Sequence, residues 1–129
     1  MGDTLLVIAS QINQGKGFIE KNNEMCISMA KVNLAAGKKA IDSCRHKTAY
    51  SYLETALSLL PDNHWSSNYD LSLQLSFMAA IAANSSFKCD ESEIFLKRIF
   101  EEGHSLKDKL PSYHLLVTSE CLDVLLTLT

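Results

Sequence analysis

Between residues 49 and 61 the chain commits itself to a helix with one covered face. Ala49, Tyr52, Leu53, Ala56, Leu57 and Leu60 fall at steps of three and four, which places them on a single stripe of an α-helix. Pro61 then stops the helix, because proline has no N–H to donate and its ring clashes with the preceding turn. Asp62 and Asn63 follow as a polar turn. The stripe calls for a partner helix, and the rest of the chain supplies helices.

The same spacing recurs throughout, and no strand-like alternation persists. Leu5, Leu6, Ile8, Ala9 and Ile12 predict a short first helix, with Asp3 as N-cap and Gly15 and Gly17 at its end. A second begins near Asn22 or Asn23 and runs through Met25, Ile27, Met29, Val32, Leu34 and Ala40. Gly37 lies inside it, at a cost of about 1 kcal/mol relative to Ala. The apolar pattern continues past Gly37, so the glycine is read as a point where a neighbouring helix comes too close for a side chain. From Asp70 to Ala83 the apolar residues point in almost every direction, so that helix must be covered on more than one side. Asp90 with Glu93 resembles a capping box, and Ser92, Phe95, Leu96, Ile99 and Phe100 repeat the stripe up to Gly103. A last helix is predicted from Pro111, which suits a first helical turn, through Leu126.

Composition narrows the function classes. Hydrophobic residues make up 47% and charged residues 21%, which is too apolar for disorder. The formal charge of −3 offers no general attraction for phosphate backbones or anionic lipid, so neither nucleic acid nor membrane is expected as a partner. No run approaches the ~20 apolar residues of a membrane span, and the first ten residues lack a basic leader. A cytoplasmic location is expected. Cys26, Cys44, Cys89 and Cys121 form no CxxC pair and are read as reduced, mostly buried thiols.

Two helix pairs with one grammar point to a repeat. Gly37, Ala49, Ala56 and Pro61 are separated by 12, 7 and 5 residues. The tetratricopeptide pattern sets its small helix-A residue, two helix-B alanines and closing proline at these intervals, because the helices cross closely there. Ala80, Ser92 and Ile99 reproduce the intervals of 12 and 7, with Ile99 large and no proline in register. The second pair lies 43 residues after the first rather than ~34, because the segment around Trp65 is inserted. The run Val32-Asn33-Leu34-Ala35-Ala36-Gly37-Lys38-Lys39-Ala40, with Thr48-Ala49-Tyr50, Leu57-Ser58-Leu59-Leu60-Pro61-Asp62, Trp65 and Tyr69-Asp70-Leu71, carries a further likeness. It resembles the helical-repeat region of multidomain signalling ATPases. In that family a protein-kinase-like domain and an AAA-type ATPase precede the repeats, and GAF and histidine-kinase domains often follow. Gln11-Ile12-Asn13-Gln14-Gly15 resembles the helix leading into that region, and the likeness spans roughly residues 4 to 118.

The family's catalytic motifs are missing from the chain. Gly15-Lys16-Gly17 lacks the upstream glycine and the following Ser or Thr of a phosphate loop. Cys44 and His46 stand two apart, and such positions on a helix point away from each other. No third residue completes a Cys–His nucleophile either. Catalytic residues, metal ligands and cofactors are therefore expected to be none.

The expected fold is all-α: antiparallel helix pairs stacked as a short tetratricopeptide-like right-handed solenoid of about six helices. Residues 1–21 form a lead-in helix, 22–63 the first pair, 64–104 the second, and 105–129 the first helix of an incomplete third pair. Gly37, Ala49, Ala56, Pro61, Ala80, Ser92 and Ile99 are repeat-packing residues, and Tyr52 is expected in the core. Lys38, Lys39, Arg45, Tyr50 and Trp65 are candidates for a contact surface, with Trp65 also expected to pin the inserted turn onto the helices. The implied role is a non-catalytic scaffold in a signalling ATPase or kinase, with neighbouring domains or a signalling protein as partner. Self-association through the C-terminal helix is left open. A standalone tetratricopeptide adaptor for a peptide, and a small helical enzyme or metal-binding protein, are the alternatives.

Overall fold

The computed structural model describes residues 23–118, and there it is helical, with no strand among the described residues. The predicted lead-in helix and the apolar run 122–128 lie outside the described residues. Six helices follow in order: α1 (Asn23–Asp42), α2 (His46–Leu59), α3 (His64–Ser67), α4 (Tyr69–Ser85), α5 (Cys89–Glu102) and α6 (Leu106–Thr118).

The most extensive pairings join α1 to α2, α4 to α5, and α2 to α4. The apolar helix α4 touches α1, α2, α3 and α5, and so is covered on more than one side. Its buried set includes Leu71, Leu75, Ala79, Ala80, Ala82 and Ala83. One continuous core runs from Cys26 and Met29 through Leu53 and Ala56 to Leu75 and Ala83.

The two main pairs share a frame. Both α2 and α5 are 14 residues long, and α5 begins and ends 43 residues after α2. The preceding helices α1 and α4 also end 43 residues apart, at Asp42 and Ser85. Each closes with the same pattern. Arg45 N–H donates to the Ala40 carbonyl at 2.7 Å and Cys44 N–H to Ile41 at 2.9 Å. Lys88 N–H likewise donates to Ala83 at 2.8 Å and Phe87 N–H to Asn84 at 3.1 Å. This is a Schellman termination, which needs a left-handed residue before the last donor. Cys44 (φ 60°) and Phe87 (φ 61°) fill that place, although neither is the usual glycine.

Three boundaries differ from expectation. The capping box at Asp90 does not form: α5 starts at Cys89 after Lys88, without a side-chain cap, and Glu93 pairs with Lys97 at 3.5 Å. The last helix begins at Leu106, leaving Pro111 inside it. A competing cap decides this, since Ser105 Oγ accepts from Asp108 N–H at 3.3 Å and starts the helix before the proline is reached. The inserted segment holds a one-turn helix, α3, rather than only a connection.

Candidate contact surface and aromatic joint

Of the seven small or closing residues, six are buried within the helices and Pro61 is half-buried. A Cβ built on Gly37 would lie 2.8 Å from Cγ and Cδ2 of Leu53, which is fully buried. Ala49 and Ala56 on α2, Ala80 on α4 and Ile99 on α5 have no exposed surface. Ser92 Oγ donates to the Ala80 carbonyl at 3.1 Å, so hydroxyl and helix backbone touch where α4 meets α5. Pro61 is half-buried just beyond α2.

The five surface candidates divide. Lys38, Lys39 and Arg45 are exposed, and Lys38 Nζ donates to Gln74 Oε1 at 3.3 Å, linking α1 to α4. Tyr50 and Trp65 are not surface residues: only 7% and 6% of each is exposed. Tyr50 meets Phe95 of α5 edge-on at 6.2 Å, with Lys88 Nζ 4.9 Å from its ring centre. Burial, and next the Glu54 carboxylate beside its hydroxyl, push the Tyr50 phenol up to about 12. Tyr52, expected in the core, is half-buried instead. The exchange has one cause: α2 packs on α1 and also on α4, so its buried arc is wider than a single stripe and swings toward the second pair.

Between α1 and the start of α4 lies an open groove of about 570 Å³. Leu34 and Leu71 form its floor, and Lys31, Ser66, Asp70 and Gln74 its polar walls.

Beside the groove sits an aromatic joint that sequence reasoning missed. Trp65 lies 5.8 Å from the His64 ring and 6.0 Å from Tyr69. Tyr69 stacks on His104 at 3.6 Å, accepts from the His104 N–H at 2.8 Å and donates to Asp108 Oδ2 at 2.7 Å. Burial raises the Tyr69 phenol above its usual range. One side chain thereby ties the start of α4 to the turn before α6. No local periodicity announces such a contact, because its members are 35 and 39 residues apart.

A serine and a histidine also approach each other here. Ser72 Oγ lies 2.6 Å from His64 Nδ1 and within 2.9 Å of the His64 and Asn68 carbonyls. A hydroxyl has one proton; if it goes to a carbonyl, Nδ1–H must donate to Oγ. Ser72 has no exposed surface and His64 is half-buried, and their contact clasps α3 to α4. Burial first, then the nearby Arg98 charge, lower the His64 pKa below 6.5.

Among the described residues, no three His, Cys, Asp or Glu side chains gather to hold a metal ion, and no helix is long and apolar enough to cross a membrane. Two thiol expectations change. Cys44 is exposed because it occupies the left-handed turn, and Cys89 is disulfide-bonded. Comparison with protein-family models, curated proteins and solved structures finds no match to this chain.

Proposed function

We propose that the chain is a non-catalytic helical-repeat scaffold, built as stacked antiparallel pairs in the manner of a tetratricopeptide solenoid, that works by protein–protein or interdomain contact. The observation that carries this reading is the common 43-residue frame of α1–α2 and α4–α5, with matching helix ends and matching turns. Small residues at the crossings let the pairs nest, and a nested stack leaves α1 and α4 side by side with a groove between them. That groove is the contact face. Its mixture of an apolar floor and polar walls suits an extended or helical protein segment.

The resemblance to the repeat region of signalling ATPases supplies the proposed setting, in which the partner belongs to a chain carrying ATPase or kinase modules. The cytoplasmic placement is part of the same proposal. It loses one support, since the Cys89 disulfide is uncommon in a reducing compartment. The adaptor alternative draws on one observation: Lys31 and Lys38 stand seven residues apart along α1 near the groove, favouring an acidic peptide.

A photo-crosslinking residue placed at Gln74 in the groove, and another at the exposed Lys97 on α5, tests the face in the native cell. Capture of a protein from Gln74 alone, identified as an ATPase or kinase chain, is the expected result. Equal capture from both positions, or none from Gln74, sinks the groove as the contact face.

A further inference from the structure

We propose that the exposed stripe of α6 docks an amphipathic helix of another protein, apolar along its seam and acidic along both borders. Leu106, Leu110, Tyr113 and Val117 recur at steps of four, three and four, and are 65%, 53%, 42% and 67% exposed. That alternation is the seam of a helix pair, in which each large side chain sits among those of the partner. The opposite side of α6 faces the protein. Ser112 is buried, Leu115 is half-buried, and Asp108 accepts from the Tyr69 hydroxyl at 2.7 Å. Phe100 of α5 stacks on Tyr113 at 4.4 Å and holds that ring at one side of the stripe. The stripe runs about 16 Å along the helix, room for three turns of a partner.

Charge selects the partner. The positions beside the seam, which meet the flanks of a second helix, are Lys107, Lys109, His114 and Leu116, and none is acidic. Lys107 and His114 are exposed along one border. Lys109 stands on the other, its stem laid over Gly103: a Cβ there would lie 2.9 Å from Lys109 Cγ and Cε. Neither lysine pairs with a carboxylate among the described residues, and the acids that close α5, Glu101 and Glu102, face Arg98 at 4.0 and 3.8 Å. A second copy of this chain would bring the same cations to the seam and no carboxylate to answer them. Glu or Asp on the flanks of a partner helix answers both borders. No residue of the stripe lines the α1–α4 groove, so this inference does not depend on the scaffold reading.

The test is fluorescence anisotropy on the full chain with two labelled synthetic helices of about 21 residues, alongside light scattering. Both helices carry leucine along the seam. One has glutamate and the other lysine at every flanking position, so each repels its own copies. The glutamate helix is expected to bind about tenfold tighter or more, and to weaken by about tenfold between about 0.05 and 0.5 M salt. Leu110→Asp should abolish binding, while Ile94→Asp, on exposed α5 surface, and Gln74→Ala, in the groove, should leave it. Lys107→Glu combined with Lys109→Glu should reverse the preference toward the lysine helix, which mere loss of structure would not do. Equal binding of the two helices, or no binding of the glutamate helix, overturns the proposal. A dimer that Leu110→Asp splits also overturns it, in favour of a second copy on the stripe.

Discussion

The first helix pair and the second have the same frame and fill it differently. In α1–α2 the crossing is made by removing a side chain: Gly37 has no Cβ, and Leu53 occupies the space. In α4–α5 the places of Gly37 and Leu53 are taken by Ala80 and the buried Leu96, and Ser92, in the place of Ala49, donates a hydrogen bond to the Ala80 carbonyl. The 14-residue length of α2 and α5, the turn geometry and the offset are shared, so they do not depend on which solution is used. Backbone termination sets the frame, and side-chain volume adjusts within it.

The largest effect should come from the apolar solution. Leu53→Ala is expected to cost about 2–5 kcal/mol, because the site is enclosed and cannot collapse fully. Gly37→Ala alone should cost roughly 1–3 kcal/mol, overriding the gain of about 1 kcal/mol that alanine brings to a helix. In the Leu53→Ala background the same change should become neutral or favourable. A double-mutant cycle on urea midpoints measures this coupling. If Gly37→Ala stabilises in both backgrounds, the close approach is not there.

Ala56→Leu sharpens the comparison at the next crossing. Ala56 is fully enclosed, and adding three carbons should overpack it by roughly 1–3 kcal/mol. At the equivalent place in the second pair a fully buried Ile99 is already accommodated, so the two pairs fill that place with side chains of different size. An unchanged melting curve for Ala56→Leu would remove the distinction. At the turns the pairs should respond alike: Cys44→Gly and Phe87→Gly are each expected to stabilise by about 1 kcal/mol, relieving a left-handed side chain that is exposed in both cases. Thermal melts of the two variants check this, and opposite signs would mean the turns are not equivalent. Ser92→Ala turns the second crossing toward the first and should cost only about 0.5–1 kcal/mol, since a single buried hydrogen bond is lost.

Helices and their order were legible because three-and-four spacing is a local signal, and Pro61 and Gly37 carry their physics in their own backbone. The residues at the intervals of 12 and 7 are all buried, and Ser92 and Ala80 touch. What escaped has a common origin in distance along the chain. Tyr50 and Tyr52 were exchanged because the arc that α2 buries is set by α4 and α5, far away in sequence. The joint of Tyr69, His104 and Asp108 unites residues whose local windows show nothing unusual. Cys44 and Phe87 were missed for another reason: a left-handed residue is normally read from glycine or asparagine, and here only the 43-residue offset between them marks the site.

The smallest effect concerns the inserted joint, which the first pair has no counterpart for. Burial lowers the His64 pKa below its ordinary 6.5, so the folded chain binds a proton less readily there than the unfolded chain. The sign follows: the contribution is fully present above about pH 6.5 and is lost as pH falls through the folded-state value. Protonation also puts a cation beside Arg98, whose charge already opposes it. Urea midpoints measured between about pH 5 and 8 should therefore fall toward acid for the parent chain, and fall less for His64→Gln, which cannot take up the proton. Equal slopes for both proteins would show that His64 does not link the joint to pH. A smaller slope in His64→Gln, with its midpoint unchanged above pH 7, would assign the acid sensitivity to the inserted segment rather than to the common frame.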